Sequence, residues 1–268
     1  MGQLRFALRM LGFDPWHGAT TLREAARYFS DLRRFRALMT RSPHPVPIVP
    51  HPQLHDRTVE AGTARGAYFH QDLLVAQMIH ERGPRRHVDV GSRVDGFVAH
   101  VAAFRPIEVF DIRPLESAAR NIRFQQLDLL QTLPADMIEC CDSLSCLHAL
   151  EHFGLGRYGD PIDLEGHVAA LANLKAMLEV GGILYLAVPI GPERIEFNAH
   201  RVFLPSRIRQ LAEPDLTLKG FSIVDDAGDL HRDLELGLVE GDNAFGCRLG
   251  LGIFVFEKAG AALPADGG

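Results

Sequence analysis

Apolar residues near the start of the chain recur every three or four positions over residues 20–39, which predicts an amphipathic helix. Thr21 and Glu24 form a capping-box pattern, and the helix is therefore expected to begin there. Five prolines follow, at positions 43, 45, 47, 50 and 52. Proline fixes its φ angle and lacks a backbone N–H, so this stretch is expected to be an extended, stiff linker. The pattern predicts a helical extension and linker over 1–52, followed by a body at 53–258.

The body alternates short, strand-like apolar runs with longer helical ones. The predicted strands are HVDV (87–90), IEVFDI (107–112), IRFQQLDL (122–129), SLSCLHA (143–149), ILYLAVPI (183–190), FSIVDD (221–226) and LGIFVFEKA (from 251). This alternation predicts an α/β fold, in which a mostly parallel sheet is covered by helices on both faces. Ligands of such folds bind at the carboxyl ends of the strands.

Two helices of the body are clear from the sequence. One is predicted at 68–83. The other precedes the fifth strand and has four apolar residues on one face: Val168, Leu171, Leu174 and Leu178. Gly181 and Gly182 are expected to end this second helix in a left-handed cap. The tail, 259–268, is predicted to be disordered.

The composition is typical of a folded, water-soluble protein. With 268 residues, 47% of them hydrophobic and 23% charged, the chain can bury a full core. It has no apolar run of about 20 residues and no apolar N-terminal leader, so a cytoplasmic protein is expected. The cysteines form no C-x-x-C pair and are therefore predicted to be reduced core residues. They are Cys140, Cys141, Cys146 and Cys247.

The net charge of −6 is unevenly distributed. Residues 1–41 contain eight arginines against three acidic residues, so this segment carries +5 and the remainder −11. The ordinary interpretation is a solvated helix face that offsets an acidic body. The alternative is a basic surface for peripheral contact with anionic lipid. No nucleic-acid-binding motif accompanies the charge, so no nucleic-acid partner is expected.

Acidic residues mark the ends of the first three predicted strands. Asp89 precedes Gly91 and the helical run GFVAHVAAF, an arrangement that places backbone N–H groups and a helix N-terminus at a strand end. Asp111 follows about twenty positions later, where a ribose hydroxyl pair finds its acceptor in nucleotide-binding folds. Asp128 is placed to receive an adenine amino group. Together, the three acids indicate an adenosine-containing cofactor.

These motifs resemble the class I S-adenosylmethionine-dependent methyltransferases over roughly residues 65–257. The sequence is most similar to the DUF268 branch, through DVGSRVDGF, LSCLHALEHFGLGRYGDPID and FNAHRVF. The resemblance implies a Rossmann-like, seven-stranded sheet whose last strand inserts antiparallel, and S-adenosyl-L-methionine as cofactor. The implied cofactor site consists of Asp89, Gly91, Ser92, Arg93, Asp95, Gly96, Asp111, Ile112, Asp128, Leu129 and Leu147.

The turn after the first strand departs from the family pattern. Arg93 and Asp95 stand where the family has glycines, and glycine returns only at Gly96. Two interpretations remain open. The side chains can hold the carboxylate and ammonium groups of the methionine part by charge-assisted hydrogen bonds, or they can form a local ion pair that closes the pocket.

A second motif, HALEH, follows the fourth strand. His148, Glu151 and His152 match H-x-x-E-H, the pattern of one class of zinc peptidases; on a helix, the two histidines would share a face and bind zinc. The strand before them and the glycines after them argue against that helix. The resemblance instead implies that they face the reacting methyl group. His152 is the first candidate for the general base, His148 the second and His200 a rival, with Glu151 orienting a histidine.

Further side chains are candidates for acceptor binding. Tyr68 and His70 precede the first body helix and are expected in a lid; Arg157 and Tyr158 lie in a glycine-rich loop. Asn198 and Arg201 either bind a polar acceptor or hold a loop in place.

The resemblance implies methyl transfer, with O-methylation of a small polar acceptor favoured and a sugar or glycan suggested by the family's association with glycan assembly. A non-catalytic binding module is the alternative. The sequence does not indicate an oligomeric state.

Overall fold

A computed structural model describes residues 15–58, 61–237 and 240–260. The chain divides into two compact units, Met1–Thr63 and Ala64–Gly268. Most of the tail predicted to be disordered, from residue 261 onward, lies outside the described residues. Each unit is described by itself below.

The first unit contains one long helix, α1 (Pro15–Met39). The capping-box prediction was wrong, because the helix begins at Pro15 and Thr21 lies well inside it; proline is tolerated in the first turn, where its missing N–H has no helical partner. Glu24 instead lies 3.5 Å from both Arg23 and Arg27. The proline-rich stretch, 44–55, contains no helix or strand, as proline chemistry requires.

The second unit is built on an eight-stranded sheet with the order β3-β2-β1-β4-β5-β10-β8-β9. Its strands are β1 (His87–Val90), β2 (Ile107–Asp111), β3 (Ile122–Gln126), β4 (Cys141–Leu147), β5 (Leu178–Ile190), β8 (Leu216–Val224), β9 (Leu230–His231) and β10 (Gly250–Lys258). A separate hairpin pairs β6 (Arg194–Glu196) with β7 (His200–Val202). Strands β1 to β5 are parallel, whereas β10 runs antiparallel between β5 and β8. The α/β fold with an inserted antiparallel strand is confirmed, and the two-residue β9 adds an eighth strand.

Helices cover both faces of this sheet. They are α2 (Ala67–Arg82), α3 (Ala99–Ala102), α4 (Gly166–Met177) and α5 (Pro205–Ala212). On one face, Val75 and Ile79 of α2 pack with Val101 of α3 in a buried cluster. On the other, Leu171 of α4 and Ile208 of α5 belong to a larger buried cluster. The four residues of β1 alternate polar and apolar side chains, and all four are buried because both faces of the strand are covered.

The end of α4 differs from the prediction. The helix stops at Met177, and Leu178 takes extended backbone angles and begins β5. Leu178 pairs with Cys141 in the sheet, so sheet hydrogen bonding replaces the further helical turn that the apolar spacing predicted. Gly181 has a positive φ of 76°, but it lies within β5 rather than at a helix cap.

Two further sequence-based expectations concern the cysteines and the membrane. All four cysteines are free thiols; Cys140 is half-buried and the other three are buried. Within the described ranges, no helix is long and apolar enough to cross a membrane.

Candidate functional site

The turn after β1 brings three segments of the backbone together. Gly91 has a φ of 72°, and its N–H donates to the carbonyl oxygen of Phe110 at the end of β2. A Cβ at Gly91 would lie 2.8 Å from the Cβ of Ala149, so only glycine fits between the turn and the chain after β4. A π-helical turn (Val94–Val98) then leads into α3. Gly91 and Ala149 both line the cleft above the strand ends.

Asp89 holds this turn in place from inside the protein. Its fully buried carboxylate accepts hydrogen bonds from the hydroxyls of Ser92 (2.6 Å) and Ser145 (2.5 Å), because Ser145 lies opposite Asp89 in the β1–β4 pairing. Burial is the main reason that the pKa of Asp89 is raised to about 6. Ser92 also accepts from the backbone N–H of Leu147. Asp89, Ser92 and Leu147 therefore shape the cleft from beneath it.

Two adjoining cavities lie over the carboxyl ends of β1, β2 and β4. The first cavity is lined by Val90, Gly91, Phe110, Asp111, Ile112, Arg113, Leu127, Asp128, Leu129, His148, Ala149, His152, Phe153, Tyr158 and Asp160. Asp111 and Asp128 meet in it, together with Ile112 and Leu129. Asp160 is a third carboxylate of the lining. Carboxylates among mostly apolar walls are suited to a ligand with a flat apolar part and hydroxyl or amino groups.

Arg113 binds across the carboxylate of Asp111. Its Nε donates to Oδ1 (3.0 Å) and its Nη2 to Oδ2 (2.6 Å), while its backbone N–H donates to Oδ1 (2.8 Å). The guanidinium also lies 4.4 Å above the ring centroid of Tyr158. Since a carboxylate has about four acceptor positions, Asp111 keeps roughly one, at Oδ2, for a ligand hydroxyl.

Asp128 is fixed by its own loop. It accepts from the backbone N–H of Leu130 (2.9 Å) and more weakly from the side-chain amide of Gln131 (3.3 Å). The loop thus holds the carboxylate at the cavity wall without neutralising it with a cation.

Arg93 and Asp95, the residues that replace glycines, form an ion pair at the surface. The Arg93 Nη2 lies 2.9 Å from Asp95 Oδ2, and both side chains are more than half exposed. The Arg93 guanidinium also lies 5.1 Å from the ring centroid of Tyr68. The predicted ion pair is therefore present, but it stands at the rim and leaves the first cavity open. Gly96, inside the π-helical turn, lines neither of the two cavities.

The second cavity is larger and more polar. It is lined by Ala67, Tyr68, Gly91, Arg93, Arg113, His148, Glu151, His152, Arg157, Tyr158, Pro189, His200, Val224, Asp225, Leu249, Gly250 and Leu251. All four predicted catalytic residues line it. Five residues line both cavities: Gly91, Arg113, His148, His152 and Tyr158.

Glu151 is the most unusual group of the second cavity. It is 1% exposed, and its Oε2 has no hydrogen-bond partner among the residues that the structure describes. Burial raises its pKa to about 8, so the carboxyl is mostly protonated and uncharged at neutral pH. His152 Nε2 lies 3.7 Å from its Oε1, beyond hydrogen-bonding distance.

His148 is oriented by a chain of buried side chains from α2. Its Nδ1 lies 2.8 Å from Gln71 Oε1, and the Gln71 amide donates to Asp72. The ring of Tyr68 lies against the histidine, with centroids 4.6 Å apart. Because an amide oxygen can only accept, Nδ1 carries the proton and Nε2 keeps a lone pair. Burial lowers the pKa of His148 to about 4, so the neutral form is present at pH 7.

His152 has the same protonation pattern through a different partner. Its Nδ1 lies 2.8 Å from the carbonyl oxygen of Ala199 and must donate to it, which leaves Nε2 unprotonated. Burial, as the largest cause, lowers its pKa to about 4. His200, the rival base, has its Nε2 3.3 Å from Glu196 Oε2 without hydrogen-bonding geometry.

The helix required by the zinc-peptidase interpretation does not form. His148 follows β4 with a positive φ of 53°, and the short 3₁₀ turn Leu150–His152 comes after it. The two histidines therefore do not lie one turn apart on a helix. Over the ranges that the structure describes, no cluster of three or more His, Cys, Asp or Glu side chains could hold a metal ion.

The glycine-rich loop presents Arg157 and Tyr158 to the cavity. Asp160 holds the loop, because its carboxylate accepts from the backbone N–H groups of Gly154, Gly156 and Tyr158. The Tyr158 ring contacts two guanidinium groups, with Arg113 at 4.4 Å and Arg157 at 5.1 Å.

The remaining predicted acceptor residues lie away from the two cavities. Arg201 is buried and donates to four backbone carbonyls, those of Glu151, Phe153, Asp163 and Leu164. It therefore ties down the loop, which was one of the two predicted roles. Asn198 is exposed on the loop between β6 and β7, and His70 packs edge-on against Phe69.

Comparison with protein families extends these observations. Residues 124–233 match the family described as "Caenorhabditis protein of unknown function, DUF268". The predicted resemblance to DUF268 is confirmed. The matched segment runs from β3 to β9 and contains Glu151, both candidate histidines of the HALEH motif and the glycine-rich loop. No curated protein sequence matches the chain.

Solved structures show the same fold at low sequence identity. The [4+2]-cyclase SpnF is 17% identical with a TM-score of 0.50, covering 74% of this chain and 86% of its own. The 1,6-didemethyltoxoflavin-N1-methyltransferase of Burkholderia thailandensis, with bound 1,6-didemethyltoxoflavin and S-adenosylhomocysteine, is 13% identical with a TM-score of 0.50, covering 92% of each chain. These likenesses show the class I methyltransferase fold.

Two side chains that shape this site were not anticipated from the sequence. Arg113 lies only two residues after Asp111, and the charge pattern D-x-R at a strand end was available as a signal. Gln71 is 77 residues from His148, and nothing in the local sequence indicates their contact. Both act by fixing a predicted residue.

Proposed function

We propose that the chain is an S-adenosylmethionine-dependent methyltransferase that methylates a hydroxyl group of a small polar acceptor, with a sugar or glycan as the favoured class. The observation that carries this proposal is the pair of adjoining cavities. The first has the carboxylates of Asp111 and Asp128 beside apolar walls, and the second contains two histidines that are neutral at pH 7. Five shared lining residues make the cavities continuous enough for transfer between two bound molecules.

The first cavity suits the adenosine part of the cofactor. Leu129 and Phe110 offer apolar contact to a purine, Asp128 offers an acceptor to its amino group, and Asp111 has one acceptor position for a ribose hydroxyl. Gly91 allows the backbone to approach the ligand closely. When bound, the cofactor supplies a methyl group activated by a positively charged sulfur.

The second cavity suits the acceptor and the removal of its proton. His152 is the proposed general base, because its Nδ1 donates to Ala199 and its Nε2 has a lone pair inside the cavity wall. His148 is the second candidate, held by Gln71 in the same protonation state. A hydroxyl placed between the cavities would give its proton to Nε2 as the new bond to carbon forms.

Calorimetric titration with S-adenosylhomocysteine tests the cofactor half of this proposal. We expect binding in the micromolar range, weakened about tenfold or more in Asp111→Ala because charge-assisted hydrogen bonds are removed. Asp136→Ala, which removes an exposed carboxylate outside both cavities, should bind as the wild type does. No binding at high ligand concentration would refute the proposal.

One observation supports a second candidate, a binding module without transfer activity. Arg113 already occupies most acceptor positions of Asp111. Methyl transfer to a panel of sugars and nucleotide sugars, read as S-adenosylhomocysteine formation, separates the two: cofactor binding without any turnover supports the module. A cytoplasmic location and a lipid contact of α1 stay predictions.

A further inference from the structure

The charges around the second cavity are strongly asymmetric. Three arginines line it, and two of them are paired with a carboxylate. Arg93 pairs with Asp95 and Arg113 pairs with Asp111. Arg157 has no carboxylate partner among the residues that the structure describes. The cavity therefore contains one cation whose charge nothing in the described protein neutralises.

Arg157 is held in place although it is exposed. Its Nη1 donates to the carbonyl oxygen of Ala199 at 2.8 Å, and its guanidinium lies 5.1 Å from the ring centroid of Tyr158. Asp160 fixes the loop beneath by accepting three backbone hydrogen bonds. A guanidinium that is already oriented loses less conformational entropy when it binds a planar anion.

The two acids of the same cavity differ in charge, because the hydrogen bond from His231 lowers the pKa of Asp225 and so keeps it ionised, whereas burial raises the pKa of Glu151. Asp225 is satisfied by His231 at 2.7 Å and by its own loop. Glu151 is buried with an unpartnered Oε2, and its raised pKa keeps the carboxyl protonated at neutral pH. A protonated carboxyl is a hydrogen-bond donor, and in an apolar surrounding it can donate to an anion.

We propose that Arg157 and Glu151 form a subsite for an anionic group of the acceptor, a phosphate or a carboxylate. Arg157 supplies the positive charge and paired N–H donors, and the Glu151 hydroxyl donates one further hydrogen bond. This inference rests on the proposed function for its acceptor, because the subsite lies in the cavity assigned to that molecule. It narrows the acceptor from a polar molecule to an anionic one.

Several titratable groups surround Glu151. Tyr68 of α2, Arg157 of the loop, Cys146 of β4 and His152 interact with it electrostatically. The guanidinium of Arg201 reaches its backbone carbonyl, and His148 and His200 line the same cavity. Since the pKa values of Tyr68 and Cys146 are raised and those of His148 and His152 are about 4, Glu151 is the group expected to ionise near pH 8.

The experiment is a titration with inorganic sulfate, whose charge stays constant across the range used, on protein saturated with S-adenosylhomocysteine. We expect Arg157→Gln to weaken sulfate binding about tenfold or more. Arg123→Gln, which removes an exposed arginine outside both cavities, should leave it unchanged. In the wild type, affinity should fall about tenfold from pH 7 to about pH 9 as Glu151 ionises. Glu151→Gln keeps a donor and should lose this pH dependence.

Three results would overturn the subsite. The first is an unchanged sulfate affinity in Arg157→Gln, and the second is a wild-type sulfate affinity that does not depend on pH between 7 and 9. The third is sulfate binding seen only without S-adenosylhomocysteine, which would assign Arg157 to the cofactor carboxylate. The pH series needs no variant, so a folding defect in Arg157→Gln does not prevent the test. If S-adenosylhomocysteine itself does not bind, the proposed function fails, and the sulfate titration on the free protein still tests the subsite.

A transfer assay then separates the two sources of the anion. Glucose 1-phosphate, glucuronic acid and methyl glucoside serve as phosphate, carboxylate and neutral probes. The subsite is supported if either anionic sugar is turned over faster than methyl glucoside and this advantage is lost in Arg157→Gln. The anion that is turned over faster then identifies the bound group as a phosphate or a carboxylate. Equal or faster turnover of methyl glucoside contradicts it.

Discussion

The two cavities are built on opposite principles. In the first, each carboxylate is held by its own neighbours: Asp111 by Arg113 and Asp128 by the N–H of Leu130. In the second, Glu151 has an unpartnered oxygen and Arg157 has no carboxylate partner within the described chain. In the first cavity, Asp111 and Asp128 already accept hydrogen bonds from the protein and keep a few acceptor positions for a ligand, whereas in the second the buried Glu151 carboxyl still lacks a partner among the described residues.

This difference matters for specificity. A cavity with satisfied groups binds through shape and a few remaining acceptors, so related ligands are accepted with moderate discrimination. A cavity with buried, unsatisfied donors discriminates more strongly, because a ligand that lacks the matching acceptor leaves those donors unpaired. We therefore expect the acceptor to be selected more strictly than the cofactor.

The largest effect is expected at His152. His152→Gln should lower kcat by roughly 10²–10⁴-fold, the usual contribution of a general base, with little change in KM. The measurement is steady-state methyl transfer on an accepted substrate. His80→Gln, at an exposed position outside both cavities, is the matched control. Full activity of His152→Gln would transfer the role to His148 or show that no base is needed.

The pH profile of the same reaction sharpens the assignment. The base must be unprotonated and has a pKa of about 4, so kcat/KM should rise through about pH 4. Glu151 must keep its proton to bind an anion, so kcat/KM should fall above about pH 8. The profile is a bell whose alkaline limb disappears in Glu151→Gln. An alkaline limb that persists in this variant would contradict the role given to Glu151.

A smaller effect is expected in the first cavity. Asp128→Asn keeps the size of the side chain and one acceptor oxygen but removes the negative charge, so affinity for S-adenosylhomocysteine should fall by about three- to tenfold. Asp136→Asn is the control. If calorimetry shows equal affinity for both variants, Asp128 does not contact the cofactor.

The smallest effect concerns stability. Because the pKa of Glu151 is raised from 4.5 to about 8 in the folded state, the folded protein binds more protons than the unfolded chain across that window, and stability falls as pH rises through it. Glu151→Gln removes this dependence. The Tm of Glu151→Gln minus the Tm of the wild type should therefore increase by several degrees as the pH is raised from about 5 to about 9. If the difference in Tm between the two proteins were the same at every pH, Glu151 would not be buried as described.

The sequence predicted the parts of the fold that depend on local pattern. Asp111 ends β2 and Asp128 follows β3, and the carboxyl ends of neighbouring parallel strands meet at one edge of the sheet, so these two residues were predictable as neighbours. The end of α4 was not, because pairing of Leu178 with Cys141 overrides the helical spacing. The helix start predicted from the capping box at Thr21 was also wrong, because the same short motif can occur by chance inside a helix.

The site was less predictable than the fold. The H-x-x-E-H spacing suggested a helix, but the chain turns at His148 with a positive φ. The protonation states of His148 and His152 depend on Gln71 and on the carbonyl of Ala199, which come from segments far along the chain. The sequence also does not distinguish Arg157, which has no carboxylate partner among the described residues, from Arg201, whose Nη1 and Nη2 donate to four backbone carbonyls.

The loop that contains Arg157 has little freedom to move. A Cβ at Gly154 would collide with the carbonyl oxygen of Asp163 and approach Gly166, so the two ends of the loop are packed backbone to backbone. Such a frame tolerates exchange of the outward side chains while its path stays constant. Substitution of Arg157 or Tyr158 at the tip of the loop is therefore expected to change the side chains that face the cavity while the backbone that carries them keeps its path.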